Sequence, residues 1–119
     1  MEWKLDRARP ICPQICEKIF VAIASGELAP NDRLMSVREV ALAAGVNPNT
    51  VQKSFEELER YGAIFSLRGS GWYVSENTEA AKKQIGAIID ERILNFFEDM
   101  KHLGIPPETA KKYIEEWRE

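Results

Sequence analysis

The chain has 119 residues, 45% of them hydrophobic and 29% charged, with a formal net charge of −3. That length suits one domain or a small domain with an appendage, and the balance excludes a disordered chain. No apolar run approaches the roughly 20 residues that cross a bilayer. The start, Met1-Glu2-Trp3-Lys4-Leu5-Asp6, lacks a signal-peptide core, so a cytoplasmic location with no membrane partner is expected.

Ile15, Ile19, Phe20 and Ile23 recur at helical spacing and predict a first helix over about Pro13 to Ser25, stopped by Gly26. Leu28-Ala29-Pro30-Asn31-Asp32 reads as a turn. Ser36, with Glu39 three residues later, predicts a capping box that opens a second helix. Its inner face is Val37, Val40, Ala41 and Ala44, and Gly45 breaks it. Asn47 then caps a third helix with Pro48 at the first position, where a missing N–H costs nothing. Val51, Phe55 and Leu58 form the stripe of this helix, which should end near Tyr61-Gly62. Two helices separated by only Gly45-Val46 and a cap make a helix-turn-helix signature.

Ala63 to Leu67 and Trp72 to Ser75 are short runs of β-formers around the loop Arg68-Gly69-Ser70-Gly71. They predict a β-hairpin directly after the third helix, in the position of a wing. Farther on, Ala81, Ile85, Ile88, Ile89, Ile93, Phe96, Phe97, Met100 and Leu103 trace one helical stripe that Gly104 ends. Pro106-Pro107-Glu108 starts a last short helix, with Ala110, Tyr113, Ile114 and Trp117 expected inward. The fold class expected is therefore mainly α with a small β-hairpin wing. A winged helix-turn-helix domain over residues 1–75 is followed by a two-helix dimerisation tail over residues 76–119. The tail is too apolar on one face to stand alone in water. Ile85, Ile88, Ile89, Ile93, Phe96, Phe97 and Met100 are expected to meet the same stripe of a second chain, because most closed homo-oligomers are two-fold dimers.

The charge is unevenly spread. Residues 1–75 carry nine Lys and Arg against nine Asp and Glu, whereas residues 76–119 carry seven against ten. A neutral domain still binds double-stranded DNA if its basic residues converge on one face. In a helix-turn-helix the second helix enters the major groove with its N-terminal residues nearest the base edges. Here that start carries Asn47, Asn49, Thr50, Gln52 and Lys53. Asn and Gln suit bidentate contact with adenine, and Lys suits guanine or a phosphate. Ser36 and Arg38, with the free amides of the preceding helix, form a candidate phosphate clamp. Arg68 and Gly69 at the wing tip complete the set expected to touch DNA. Each feature also has an ordinary reading: a capped helix with a polar solvent face, a surface ion pair from Arg38 to Glu39 or Glu56, a polar turn at Arg68.

Cys12 and Cys16 share a helix face at metal-pair spacing, yet the single histidine, His102, is far off. Two partly buried thiols with no metal and no cofactor are the expected state. No nucleophile–base set is visible, so no enzyme is expected and no catalytic residue is assigned. The tail is too short to enclose a pocket of several hundred cubic ångströms, which leaves a small-molecule effector open. The rival function is a protein-interaction module that uses a winged-helix surface without binding DNA.

The run Gly26-Glu-Leu-Ala-Pro-Asn-Asp-Arg-Leu-Met-Ser-Val-Arg-Glu-Val-Ala41 resembles the opening of the GntR-type winged-helix domain. Asn47-Pro-Asn-Thr-Val51, Leu58-Glu-Arg-Tyr-Gly62 and Arg68-Gly-Ser-Gly71 continue the likeness over roughly residues 10–75. The Asn47–Val51 form and the short helical tail are similar to the YtrA-type subfamily, whose members often govern transport or envelope-stress genes. The resemblance implies a homodimeric regulator, expected to repress, on operator sites, with contacts from Arg38, the start of the third helix and the wing. Three positions depart from the family pattern. Met35 stands where proline is usual, Cys12 where an aromatic is common, and Trp72 where a small residue is common. The Met35 change is expected to loosen the approach to the second helix.

Overall fold

The computed structural model describes residues 1–119. In chain order it forms α1 (Ile11–Ser25), α2 (Val37–Ala44), α3 (Pro48–Arg60), β1 (Ile64–Leu67), β2 (Gly71–Val74), α4 (Glu79–His102) and α5 (Pro107–Glu116). This is a winged helix-turn-helix followed by two further helices. Contacts divide the chain between Ile85 and Gly86, C-terminal to the division expected after Ser75. The first turns of α4 therefore belong with the winged helix, where Ala81 is fully buried. No helix is long and apolar enough to cross a membrane.

In the first unit α1 and α2 both pack on α3. The i, i+4, i+7 stripe of α3, Val51, Phe55 and Leu58, is fully buried, as are Ile15 and Ile19 of α1 and Val40 of α2. Burial of each large side chain of this kind contributes about 1.5–3 kcal/mol. α1 begins at Ile11, earlier than Pro13, and has no side-chain cap. A proline is compatible with the first turn of a helix, where no intrahelical N–H bond is needed, so Pro13 does not mark the start.

The helix-turn-helix is set by caps that the sequence spells out. Ser36 Oγ accepts the Glu39 N–H at 3.1 Å while Glu39 Oε1 accepts the Ser36 N–H at 3.0 Å. Gly45 closes α2 at φ 67°, a left-handed conformation that costs glycine little. Asn47 Oδ1 then accepts the Asn49 N–H at 2.8 Å.

β1 and β2 pair antiparallel in the register Ile64–Val74, Phe65–Tyr73, Ser66–Trp72 and Leu67–Gly71. The wing has an additional partner that the periodicity does not announce. Arg33 bridges Tyr73 antiparallel. Leu34 N–H donates to the Trp72 carbonyl, Val74 N–H to the Asp32 carbonyl and Asn31 N–H to the Val74 carbonyl, each at 2.8 Å. The segment before α2 is thus held on the free edge of β2 by an isolated bridge and three backbone hydrogen bonds. It anchors the approach to α2 despite Met35, since the neighbouring Leu34 is buried. Asn31 takes φ 68°, a left-handed geometry that Asn tolerates better than most residues. On the inner side Trp72 meets Phe55 edge-to-face at 5.6 Å, so the large residue at position 72 ties the wing to α3.

The second unit runs from Gly86 to Glu119. Gly104, at φ 79°, ends the α4 segment, and the Ile105 N–H returns to the Met100 carbonyl at 2.9 Å. Pro106 and Pro107 then open α5. Of the four α5 residues expected inward, only Ala110 is buried. Tyr113 and Ile114 are more than half exposed, and Trp117, just past the helix end, is 66% exposed. One amphipathic helix segment and a single short partner helix lack the surface to cover these side chains within one chain.

Candidate nucleic-acid interface

The residues expected to touch DNA lie at the start of α2, at the start of α3 and on the wing. Arg38, on the first turn of α2, is exposed and pairs with neither acid that the sequence offered. Glu39 closes the capping box, and Glu56 accepts a hydrogen bond from Gln52 Nε2 at 3.3 Å. The capping box holds the Glu39 carboxyl below its ordinary range. The Ser36 backbone N–H contributes most, followed by the Ser36 side chain and the nearby Arg33 charge. A proton-free Glu39 keeps the α2 start in place, with Ser36 half-buried beneath it.

On α3, Asn49 and Lys53 are one turn apart on one exposed face, and Gln52 stands beside them, also exposed. Asn47 is exposed but its side-chain oxygen caps the helix. Thr50 is half-buried, and its carbonyl accepts the Ser54 Oγ–H at 2.8 Å. Asn49 and Lys53 keep their side chains free of intramolecular hydrogen bonds, whereas Gln52 is partly committed to Glu56. The α3 start thus presents an amide and an ammonium to solvent, the groups that suit adenine and guanine edges.

At the wing tip Arg68 and Gly69 are exposed, and Gly69 takes φ 74°. Tyr73 stacks on Phe65 at 5.8 Å and shares a 2.5 Å hydrogen bond with Ser70 Oγ, which stiffens the tip. Arg33 is a residue that sequence reasoning passed over. It is exposed, bridges Tyr73, and lies so close to Gly71 that a Cβ there would stand 3.1 Å from its Nε. The run Asn31–Leu34 read only as a turn and connector, because pairing between distant segments leaves no local periodicity.

Cys16 is buried and Cys12 half-buried, both as free thiols. No group of three or more His, Cys, Asp or Glu side chains stands where it would hold a metal ion. Ile85, the last residue of the first unit, is half-buried, and so in the second unit are Ile88, Phe96, Phe97 and Met100. Ile89 and Ile93 are about half exposed. Phe96 and Phe97 meet edge-to-face at 5.4 Å, and a groove of about 360 Å³ is lined by Phe96, Met100, Tyr113, Ile114 and Trp117.

Comparison with known proteins places this geometry. Residues 13–74 match the family described as bacterial regulatory proteins, gntR family. The HTH-type transcriptional regulator YhcF of Bacillus subtilis is 34% identical over all of this chain and 98% of its own. The HTH-type transcriptional repressor YtrA of the same organism is 37% identical over 90% of this chain and 83% of its own. A solved GntR family transcriptional regulator from Listeria monocytogenes superposes with a TM-score of 0.79 at 32% identity, covering 96% of this chain and 100% of its own. The likeness in sequence and in structure extends through α4 and α5, beyond the winged helix alone. The chain belongs to the GntR family of bacterial regulatory proteins, as a winged helix-turn-helix, DNA-binding transcriptional regulator.

Proposed function

We propose that the chain acts as a homodimeric repressor on an inverted-repeat operator. Asn49, Thr50, Gln52 and Lys53 read bases. Ser36, Arg38 and the α2 amides hold a phosphate, Asn47 presents the α3 start, and Arg68 and Gly69 follow the minor groove. The observation that carries the reading is the pair of capped helix starts, each with a long polar side chain, Arg38 and Lys53, that no intramolecular partner occupies. Repression is proposed by likeness to YtrA, a named repressor that aligns with most of this chain. Dimerisation is supported by the uncovered apolar side chains of Ile89, Ile93, Leu103, Tyr113, Ile114 and Trp117. It also answers the weak charge. Tethering two neutral half-site readers raises the effective concentration of the second to about millimolar without a new contact.

The test is selection of bound duplexes from a random pool, followed by titration of the winner at several salt concentrations. An inverted repeat with half-sites about one helical turn or a multiple apart is expected. Arg38→Ala should weaken binding by about 1–3 kcal/mol, and Asn49→Ala with Lys53→Ala should flatten the selected motif. A motif that survives the double change removes α3 as the reader. A non-repeated motif removes the two-fold arrangement.

A further inference from the structure

The last carbonyls of α2 have no partner within the helix, as at any helix C-terminus. The last of them, together with the carbonyl of the Gly45 cap that follows, is taken by a residue from the beginning of the chain. Arg7 Nη2 donates to the Ala44 carbonyl at 2.5 Å, and Arg7 Nη1 donates to the Gly45 carbonyl at 3.0 Å. A Cβ on residue 45 would stand 3.2 Å from Arg7 Nη2, so glycine both turns the chain and admits the guanidinium. Only Val46 separates Gly45 from Asn47, the cap of α3. The cation also suits the negative end of the α2 dipole.

Arg7 is itself held in place. Gln14 Nε2 donates to the carbonyls of Asp6 and Pro10, each at 2.9 Å, while Gln14 Oε1 accepts the Asp6 N–H at 2.8 Å. Asp6 Oδ1 accepts the Ala8 N–H at 3.0 Å. On the other side, Trp3 lines a cavity of about 230 Å³ with Ile19, Leu34 and Phe55. The backbone is thus held close to residue 7, which fixes where the side chain starts, and the exposed guanidinium is ordered by its two carbonyls. Its planar fork spans two successive carbonyls, a geometry that the point charge of lysine does not reproduce.

We infer that Arg7 is a positioning residue for DNA recognition. It makes no DNA contact of its own. It clasps the peptide groups of the helix-turn-helix turn, and through them it sets the direction in which Asn49, Gln52 and Lys53 leave the domain. The inference rests on the reading of α3 as the base-reading helix.

The test compares the full-length chain with Arg7→Ala and Arg7→Lys on the selected operator and on random-sequence duplex, over a range of salt. Arg7→Ala should bind the operator roughly tenfold more weakly, about the worth of one charge-assisted hydrogen bond. Affinity for random duplex should be unchanged, and Arg7→Lys should recover part of the loss. The slope of log K against log salt should not change, because Arg7 spends its donors on carbonyls. A slope shallower by about one unit would make Arg7 a phosphate contact and overturn the inference. An unchanged operator-to-random ratio in a folded variant would overturn it as well. Should Arg7→Ala fail to fold, Arg7→Gln, which keeps one short donor, gives the same comparison by the same ratio. Asn49→Ala with Lys53→Ala serves as the control. If that pair leaves the ratio intact, the reading of α3 has failed, whatever Arg7 does.

Discussion

The Cys16 thiol of α1 donates a hydrogen bond to the Ser54 carbonyl of α3, 3.5 Å away, inside the buried seam between the two helices. Burial pushes this thiol up to about 12, and Cys12 beside it and the Glu57 charge push in the same direction. A thiol at such a value is almost wholly protonated at neutral pH, the unreactive form.

Thiol labelling therefore distinguishes the two cysteines. At pH 8 a charged thiol reagent should modify half-buried Cys12 quickly and Cys16 only as fast as the chain unfolds. Two equal fast phases would place Cys16 outside the seam. The alkaline limb of stability follows with a definite sign. The unfolded thiol ionises near 9.0 and the folded one near 12. In that window the unfolded state has lost a proton that the folded state keeps. Stability should hold below about pH 9 and fall as pH rises toward 12, and Cys16→Ala should remove that slope. Denaturant melts at stepped pH give the answer.

Glu39 provides the opposite limb. Its folded carboxyl is held below the ordinary value of 4.5 by the Ser36 N–H and then the Ser36 side chain. The capping contribution is present above that value and lost as pH falls through the folded one. Glu39→Gln retains an acceptor for the Ser36 N–H without titrating. The native chain should therefore lose more melting temperature between pH 6 and pH 3 than Glu39→Gln does. Parallel curves would show that the cap does not depend on the charge.

Gly71 sits at φ 128°, and a Cβ there would crowd Arg33 Nε at 3.1 Å. The guanidinium is flexible enough to move, but the backbone conformation is not open to alanine at low cost. Gly71→Ala should destabilise the winged helix by about 1–3 kcal/mol. The proposed DNA contact of the wing should weaken with it, since residue 71 pairs with Leu67 directly before Arg68. Calorimetry together with operator titration measures both. A stable variant with native affinity would mean that the wing register tolerates a change at this corner.

Shortened chains test the division and the dimer together. A chain ending at Ile85 keeps the buried Ala81, whereas one ending at Ser75 loses it. Both should sediment as monomers and bind a full inverted repeat much more weakly than the intact chain. The shorter one should also melt lower, by about 4–8 °C for each kcal/mol that the α4 contacts supply. Dimers of either shortened chain would show that the second unit is not the dimer interface.

What the sequence made legible was local. Ser36 with Glu39, Asn47 with Pro48, and the Val51, Phe55, Leu58 stripe placed α2 and α3, because capping and helical period act over a few residues. The candidate DNA residues near those caps were visible for the same reason. Arg33 against Gly71 and Arg7 on the Ala44 and Gly45 carbonyls were not, since each joins segments far apart in the chain. A long arginine on the surface carries no mark that tells a partner carbonyl from open water. The outward Tyr113, Ile114 and Trp117 were misread as inward because periodicity identifies an apolar face without saying which molecule covers it.

The pairing of Asn31–Leu34 with β2 has a bearing on how the chain acquires its shape during synthesis. The acceptors and donors that this segment needs, the carbonyls of Trp72 and Val74 and the N–H of Val74, lie on the far side of the whole helix-turn-helix. A ribosome extends the chain at about 5–20 residues per second, so Asn31–Leu34 waits a few seconds in water for its partners. The contacts of α1 and α2 with α3 need the chain only as far as Arg60, so these helices are free to associate in that interval. The wing then closes over an assembled helix-turn-helix. A chain that has emerged only as far as residue 71 would expose the α2 and α3 starts without the strand that steadies the approach to them.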